Sequence, residues 1–133
     1  MNKALIDTDI LSYYFRGDTT VVKKFQEYLK NYDTIEISIV TCYEIMSGLL
    51  AKNAFKQLAV FEDFISENIV VPLTDGSSRI SAEIYSSLKQ SGKIIDDIDI
   101  LIAGIAIEND LTLITNNTNH FTRINGLRIK NWK

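Results

Sequence analysis

Short apolar, β-branched runs alternate with segments of helical periodicity along the whole chain, and that alternation most restricts what the chain can fold into. Lys3–Asp7 is an apolar run that ends in an acid, and Ile35–Val40 is β-branched. Ile69–Leu73, Leu111–Thr115 and Leu127–Ile129 complete the strand candidates, with Pro72 either weakening the third or placing it near a sheet edge. Between them Asp9–Phe15, Thr19–Tyr32, Thr41–Ala51, Ala54–Asn68, Ser78–Gln90 and Asp99–Asn109 read as helices. In Thr19–Tyr32 the apolar side chains Val21, Val22, Phe25, Tyr28, Leu29 and Tyr32 fall on one helical face. Gly17 and Gly92 punctuate helix ends. Asp99–Asn109 is apolar almost all round, so it is a buried helix. Strand and helix in this order predict an α/β fold in three layers, α/β/α, around a mainly parallel sheet of four to five strands. The 133 residues suffice for one domain, spanning 1–133, that buries its own core.

Parallel sheets bind ligands beyond the carboxyl ends of their strands. Asp7 ends the first strand, Glu44 follows the second, Asp99 heads the helix before the fourth, and Asn117 follows that strand. Each has a plainer explanation. Asp7 or Asp9 can cap the helix that follows, although one cap does not account for both. Thr41-Cys-Tyr-Glu44 matches a capping box, with Thr41 at the N-cap. Asp99 is harder to explain, because a charge at the head of so apolar a helix needs a cationic partner or a polar cleft. Asp97 reads as that helix's N-cap or as a fourth ligand, and Asp96 as solvated.

No basic residue lies near Asp7, Glu44 or Asp99 in sequence. Crowded carboxylates raise one another's pKa unless a cation intervenes, and all-oxygen donors suit Mg²⁺, with Mn²⁺ as a substitute. Asp9 and Thr115 are placed as groups that orient the ligands. Zinc is disfavoured, since Cys42 and His120 are each the only residue of their type. His120, in the polar run Asn116–His120, reads as a surface-turn residue, and Cys42 as a small buried hydrophobe. A single cysteine excludes an internal disulfide framework, and no apolar run approaches the roughly 18 residues of a membrane span. A cytoplasmic location is the default expectation. The net charge of −3 argues against a protein that coats nucleic acid by charge alone. Beyond Asp110 there are no acids, however, while Arg123, Arg128, Lys130 and Lys133 are basic, so they form either a solvated tail or a phosphate-contacting flank, with Arg123, Arg128 and Lys130 the candidate RNA contacts.

Four blocks in this order resemble the PIN-domain ribonucleases, above all the VapC-type toxins of toxin–antitoxin pairs. They are Leu5-Ile-Asp-Thr-Asp-Ile-Leu11, Thr41-Cys-Tyr-Glu-Ile-Met-Ser-Gly48, Asp97-Ile-Asp-Ile-Leu-Ile-Ala103 and Leu113-Ile-Thr-Asn-Asn-Thr-Asn-His-Phe121, followed by the ending Gly126-Leu-Arg-Ile-Lys-Asn-Trp132. The resemblance implies a PIN-like fold with Asp7, Glu44 and Asp99 as acidic metal-site residues, and with Asp97 and Asn117 as further candidates. Many PIN domains carry Asp at the position of Asn117, so the Asn lowers the site charge by one and puts a tightly held second metal in doubt. The resemblance also implies Mg²⁺-dependent hydrolysis of RNA, with tRNA or rRNA as common targets, and a homodimer inhibited by a cognate antitoxin. Two other readings compete. A haloacid dehalogenase-like phosphatase would use Asp7 as nucleophile and Asp9 as acid–base, and a non-catalytic PIN domain would bind RNA or antitoxin without cleaving.

Overall fold

The computed structural model describes residues 2–133. Every strand candidate pairs into one sheet: β1 (Ala4–Ile6), β2 (Glu36–Ser38), β3 (Ile69–Val71), β4 (Thr112–Ile114) and β5 (Ile129–Lys130). The order is β3-β2-β1-β4-β5 and all neighbours are parallel. β3 lies at one edge, where Pro72 just beyond it costs no central ladder bond. The helices are α1 (Thr8–Phe15), α2 (Thr19–Tyr28), α3 (Ile39–Ala51), α4 (Phe55–Ser66), α5 (Asp75–Gln90), α6 (Asp97–Glu108) and the short α7 (Thr118–Phe121). Successive strand residues point to opposite faces, and the core divides accordingly. Leu5 and Leu113 pack with Ile84, Leu88, Ile100 and Ile102 from α5 and α6. Ala4, Ile6 and Ile114 pack with Ile10, Leu11, Phe25 and Phe61 from α1, α2 and α4, closed by Trp132. The result is the three-layer α/β/α architecture, with a five-stranded parallel sheet, that the strand–helix order predicts.

Two local features fix the elements that carry the acids. α6 is buried through Ile100 and Ile102–Ala106, and it lies hard against α5. A methyl on Gly104 would run into the Ser81 side chain and come within 2.7 Å of the Ser77 carbonyl, while the Ser81 hydroxyl donates to the Ile100 carbonyl at 2.9 Å. α1 ends at Arg16, and the chain turns through Gly17 at φ +77°, a conformation in which a side chain would be strained.

The second strand is shorter than the β-branched run predicts. Ile39 and Val40 already belong to α3, because Ser38 is the N-cap and accepts from the Thr41 N–H at 3.0 Å. Thr41 is therefore inside the helix, and the capping box with Glu44 does not form. At α6 the N-cap is Asp96, which accepts from the Ile98 N–H. Asp96 is exposed, as expected, and also caps the helix, while Asp97 is the first helical residue rather than the cap. Among the described residues no helix is long and apolar enough to cross a membrane.

A candidate acidic active site

The strand order reverses direction between β1 and β4. β2 and β3 extend the sheet one way from β1, and β4 and β5 extend it the other. Chains leaving the carboxyl ends of such a pair diverge and open a crevice. Asp7 leaves β1 at this point and Thr115 leaves β4 beside it, tied by the Asp7 N–H donating to the Ile114 carbonyl at 2.9 Å. The crevice is lined by Asp7, Thr8, Asp9, Ser12, Tyr13, Arg16, Glu44, Asp99 and Asn117. The three acids singled out in the sequence are therefore gathered at one rim, although they come from the β1–α1 junction, α3 and α6.

Asp7 is only 5% exposed. It is the N-cap of α1, accepting from the Thr8 N–H at 2.8 Å, and its other oxygen accepts from the Thr115 hydroxyl at 2.8 Å. Thr115 Oγ1 in turn accepts from the Asn117 N–H at 3.0 Å, so one hydroxyl positions both Asp7 and the loop after β4. Capping and a site role coincide here. Burial, reinforced by the charge of Asp9, pushes the Asp7 carboxyl up from 3.8 to about 7. Asp9 accepts from the Ile10 N–H at 2.7 Å and from the Asn116 N–H at 3.1 Å. It anchors the β4–α7 loop to the start of α1 rather than bonding to another acid.

Glu44 lies in the second turn of α3, and Thr8 reaches across to donate to it at 2.5 Å. Thr8 Oγ1 also lies 3.1 Å from Thr41 Oγ1. Thr41 thus does contribute, from inside the helix. Asp99 sits in the first turn of α6, where the positive end of the helix dipole favours an acid. Its oxygen lies 3.5 Å from His120 Nδ1, which is itself 2.9 Å from Asn117 Nδ2. His120 is therefore a neighbour of the site and not a detached surface-turn residue. Burial raises the carboxyls of Asp9, Glu44 and Asp99 as well, helped by surrounding acids: Asp99 beside Asp9, Asp99 and Asp96 beside Glu44, and Asp96 beside Asp99.

Other candidates fall elsewhere. Asp97 is exposed and does not line the crevice. Two residues on a helix are separated by about 200°, so Asp97 and Asp99 do not share a face. Arg128 pairs with Asp110 at 2.8 Å and donates to its carbonyl, at the amino end of β4 and so at the opposite end of the strands from Asp7. Arg123 donates to the Lys93 carbonyl and lines a separate cavity of about 300 Å³ beside α5. Lys130 is exposed and lines another hollow with Asn2, Thr112 and Trp132. These three do not gather around the acids; of the basic tail only Lys133 comes near the crevice, pairing with Asp18 at 2.8 Å and lying 4.9 Å from the Tyr13 ring. Cys42 is buried as a small apolar group, as expected. Sequence reading missed Thr8, Ser12, Tyr13 and Arg16, although with Asp9 they recur at the three-to-four-residue spacing of one helix face.

Among the described residues no three acidic, imidazole or thiolate side chains already close on one point to hold a metal. Each acid is instead turned to a neighbour: Asp7 to Thr115, Glu44 to Thr8, Asp99 to His120. The donor set itself fits a hard divalent cation. It consists of carboxylate oxygens with the Asn117 amide close by, in a crevice where desolvation makes the bare negative charges costly.

A family model described as the PIN domain matches residues 4–127, and the chain belongs to the PIN-domain family. Within it the chain is closely related to VapC toxins of type II toxin–antitoxin systems, and this kinship makes it an enzyme of the nuclease class. It is 32% identical over 117 residues to Ribonuclease VapC19 of Mycobacterium tuberculosis, covering 88% of this chain and 90% of that protein. It is 29% identical over 133 residues to the tRNA(fMet)-specific endonuclease VapC of Shigella flexneri, covering 99% of each. Among solved structures it superposes on VapBC2 from Rickettsia felis, bound to a DNA fragment of its promoter, with a TM-score of 0.89 at 28% identity over 98% of both chains. DNA-bound VapBC from Salmonella typhimurium gives a TM-score of 0.88 at 28% identity over 100% of both.

Proposed function

We propose that this chain is a Mg²⁺-dependent endoribonuclease, the toxin of a toxin–antitoxin pair, which hydrolyses phosphodiester bonds in tRNA or rRNA. The observation that carries the reading is the convergence of Asp7, Glu44 and Asp99 in one crevice at the switch point of the sheet. Asp7, Glu44 and Asp99 would hold the cation, with Asn117 at the margin. When bound, Mg²⁺ or Mn²⁺ supplies activation of water and stabilisation of charge on the phosphoryl oxygens. The protein supplies position. Thr115 holds Asp7 in one rotamer, Thr8 aims Glu44, and His120 lies against Asp99. Asp9 keeps the loop carrying Asn117 against α1 through the Asn116 N–H.

The names of two relatives support the substrate class: a ribonuclease, and an endonuclease specific for tRNA(fMet). The superposition on VapBC structures supports a cognate antitoxin as partner, and the toxin itself is proposed to act as a homodimer. The phosphatase reading loses its support, because among the described residues no lysine lines the crevice and both oxygens of Asp9 already accept from backbone N–H groups. The test is digestion of bulk tRNA and rRNA by purified protein in Mg²⁺, with and without chelator. Cleavage that stops on chelation and is absent in Asp99→Asn supports the reading. Chelator-resistant cleavage, or full activity in the variant, overturns it.

A further inference from the structure

Arg16 is the single cation among the described residues lining the acidic crevice. It would be the natural counter-ion for four carboxylates, yet its guanidinium makes no ion pair or hydrogen bond among the described residues. It lies instead over the Tyr13 ring, 5.3 Å from the centroid, a ring that the Asp18-paired Lys133 also approaches, at 4.9 Å. A cation–π contact holds a guanidinium in place without neutralising it, and leaves its fork of N–H donors free for an anion. Its position along α1 is informative. Asp7 caps the start of this helix and Arg16 caps its end. The two Cα atoms are thus about 13 Å apart along the helix axis. Helical side chains lean toward the amino end, so the Arg16 stem leans back toward Asp7. The stripe Thr8, Ser12 and Arg16 faces the crevice throughout, while Ile10 and Leu11 are fully buried on the opposite side.

We propose that Arg16, steadied by Tyr13, clamps a backbone phosphate of the RNA strand next to the one being cleaved, and so sets how the strand lies across the acids. The inference rests on the ribonuclease reading and names the residue that contacts the substrate's flank. It relocates the phosphate contact from Arg123, Arg128 and Lys130, which line other parts of the surface. Arg16 is exposed at the far end of α1 from Asp7 and pairs with none of the four acids, so its charge is open to an incoming anion. An anion delivered by the substrate supplies the missing partner, and guanidinium pairs with phosphate through two parallel donors.

The test compares wild-type protein with Arg16→Gln and Arg16→Lys, cleaving bulk tRNA and a short unstructured RNA in Mg²⁺ over a series of KCl concentrations. Mn²⁺ affinity is measured alongside by electron paramagnetic resonance. Arg16→Gln is expected to raise KM about tenfold, as for loss of one charge-assisted contact. Its log–log salt dependence should be shallower by about 0.7 to 0.9, the share of one phosphate. Mn²⁺ affinity should stay at the wild-type value. Arg16→Lys should keep the slope while losing part of the affinity, because the bidentate fork is gone. A wild-type KM and slope in Arg16→Gln overturn the proposal. So does a loss of Mn²⁺ affinity in that variant, or a slope change found instead in Arg123→Gln, Arg128→Gln or Lys130→Gln. Absence of RNA cleavage by the wild-type protein under every condition would sink the ribonuclease reading itself, and the clamp with it.

Discussion

Replacing Asp7 by Asn tests whether the crevice is built for a cation, because metal-free protein should then become more stable. The Asp7 carboxyl is raised from 3.8 to about 7 by burial and by the charge of Asp9. A carboxyl whose folded pKa lies above its unfolded value holds its proton more tightly in the folded state. The stability it contributes is present below about pH 4 and is lost as pH climbs through about 7. A shift of about three units at 1.36 kcal/mol each amounts to about 4 kcal/mol lost by the metal-free wild type at pH 8. Asn removes the charge and still caps α1 through its oxygen, since Asn and Asp are equally good N-caps. Its amide must face the Thr115 hydroxyl, which already accepts from the Asn117 N–H, at a cost of about 1 kcal/mol. The balance is a gain of about 3 kcal/mol at pH 8 in chelator, or a melting temperature higher by on the order of 10 °C. Thermal unfolding followed by circular dichroism at pH 5.5 and pH 8, in chelator and in Mg²⁺, reads all of this. Wild type should melt lower at pH 8 than at pH 5.5 and recover in Mg²⁺, whereas Asp7→Asn should show a smaller drop and a weaker Mg²⁺ recovery, the residual drop coming from the raised carboxyls of Asp9, Glu44 and Asp99. A variant that melts at or below wild type at pH 8 in chelator would refute the reasoning.

Millimolar Mg²⁺ or Mn²⁺ should raise the wild-type melting temperature at pH 7.5 by mass action, by about 2.7 kcal/mol when the ion stands at one hundred times its Kd; an unmoved transition would count against the site. Thr115→Val should lower stability by about 1–3 kcal/mol, because it leaves a buried Asp7 oxygen and the Asn117 N–H without their partner. It should also cut RNA cleavage, which assays at saturating metal would detect. Gly104→Ala should cost about 1–3 kcal/mol in chemical denaturation, because the added methyl meets Ser81 and the Ser77 carbonyl; a neutral result would mean that α5 can step back from α6.

Much of this was legible in the residues, for reasons that also mark where legibility ends. Strands at Ala4–Ile6 and Thr112–Ile114 announce themselves as short apolar runs between polar ends, and a parallel sheet sends the residues after them to one rim. That logic brought Asp7, Glu44 and Asp99 together without a coordinate. The start of α3 was not legible, because Ile39 and Val40 have strand propensity and only the Ser38 cap turns them into helix. Starting the helix at Ile39 also moves Thr41 from cap to interior, where it meets Thr8. Asp96, Asp97 and Asp99 are equivalent as letters, and which of them faces the crevice depends on which residue caps α6. His120 reads as a loop residue until α7 turns it back beside Asn117 and Asp99. Arg16 does not stand out among the letters because it belongs to no basic run, whereas the crevice takes one cation from the stripe of α1.

A titration of Mn²⁺ followed by electron paramagnetic resonance probes the shared cation site of Asp7, Glu44 and Asp99 most directly. Wild-type protein should quench the free-ion signal, and Asp7→Asn, Glu44→Gln and Asp99→Asn should each weaken uptake by more than about tenfold while keeping the wild-type fold. Wild-type uptake in all three variants, or no uptake by the parent protein, would contradict the claim that these carboxylates form one metal centre.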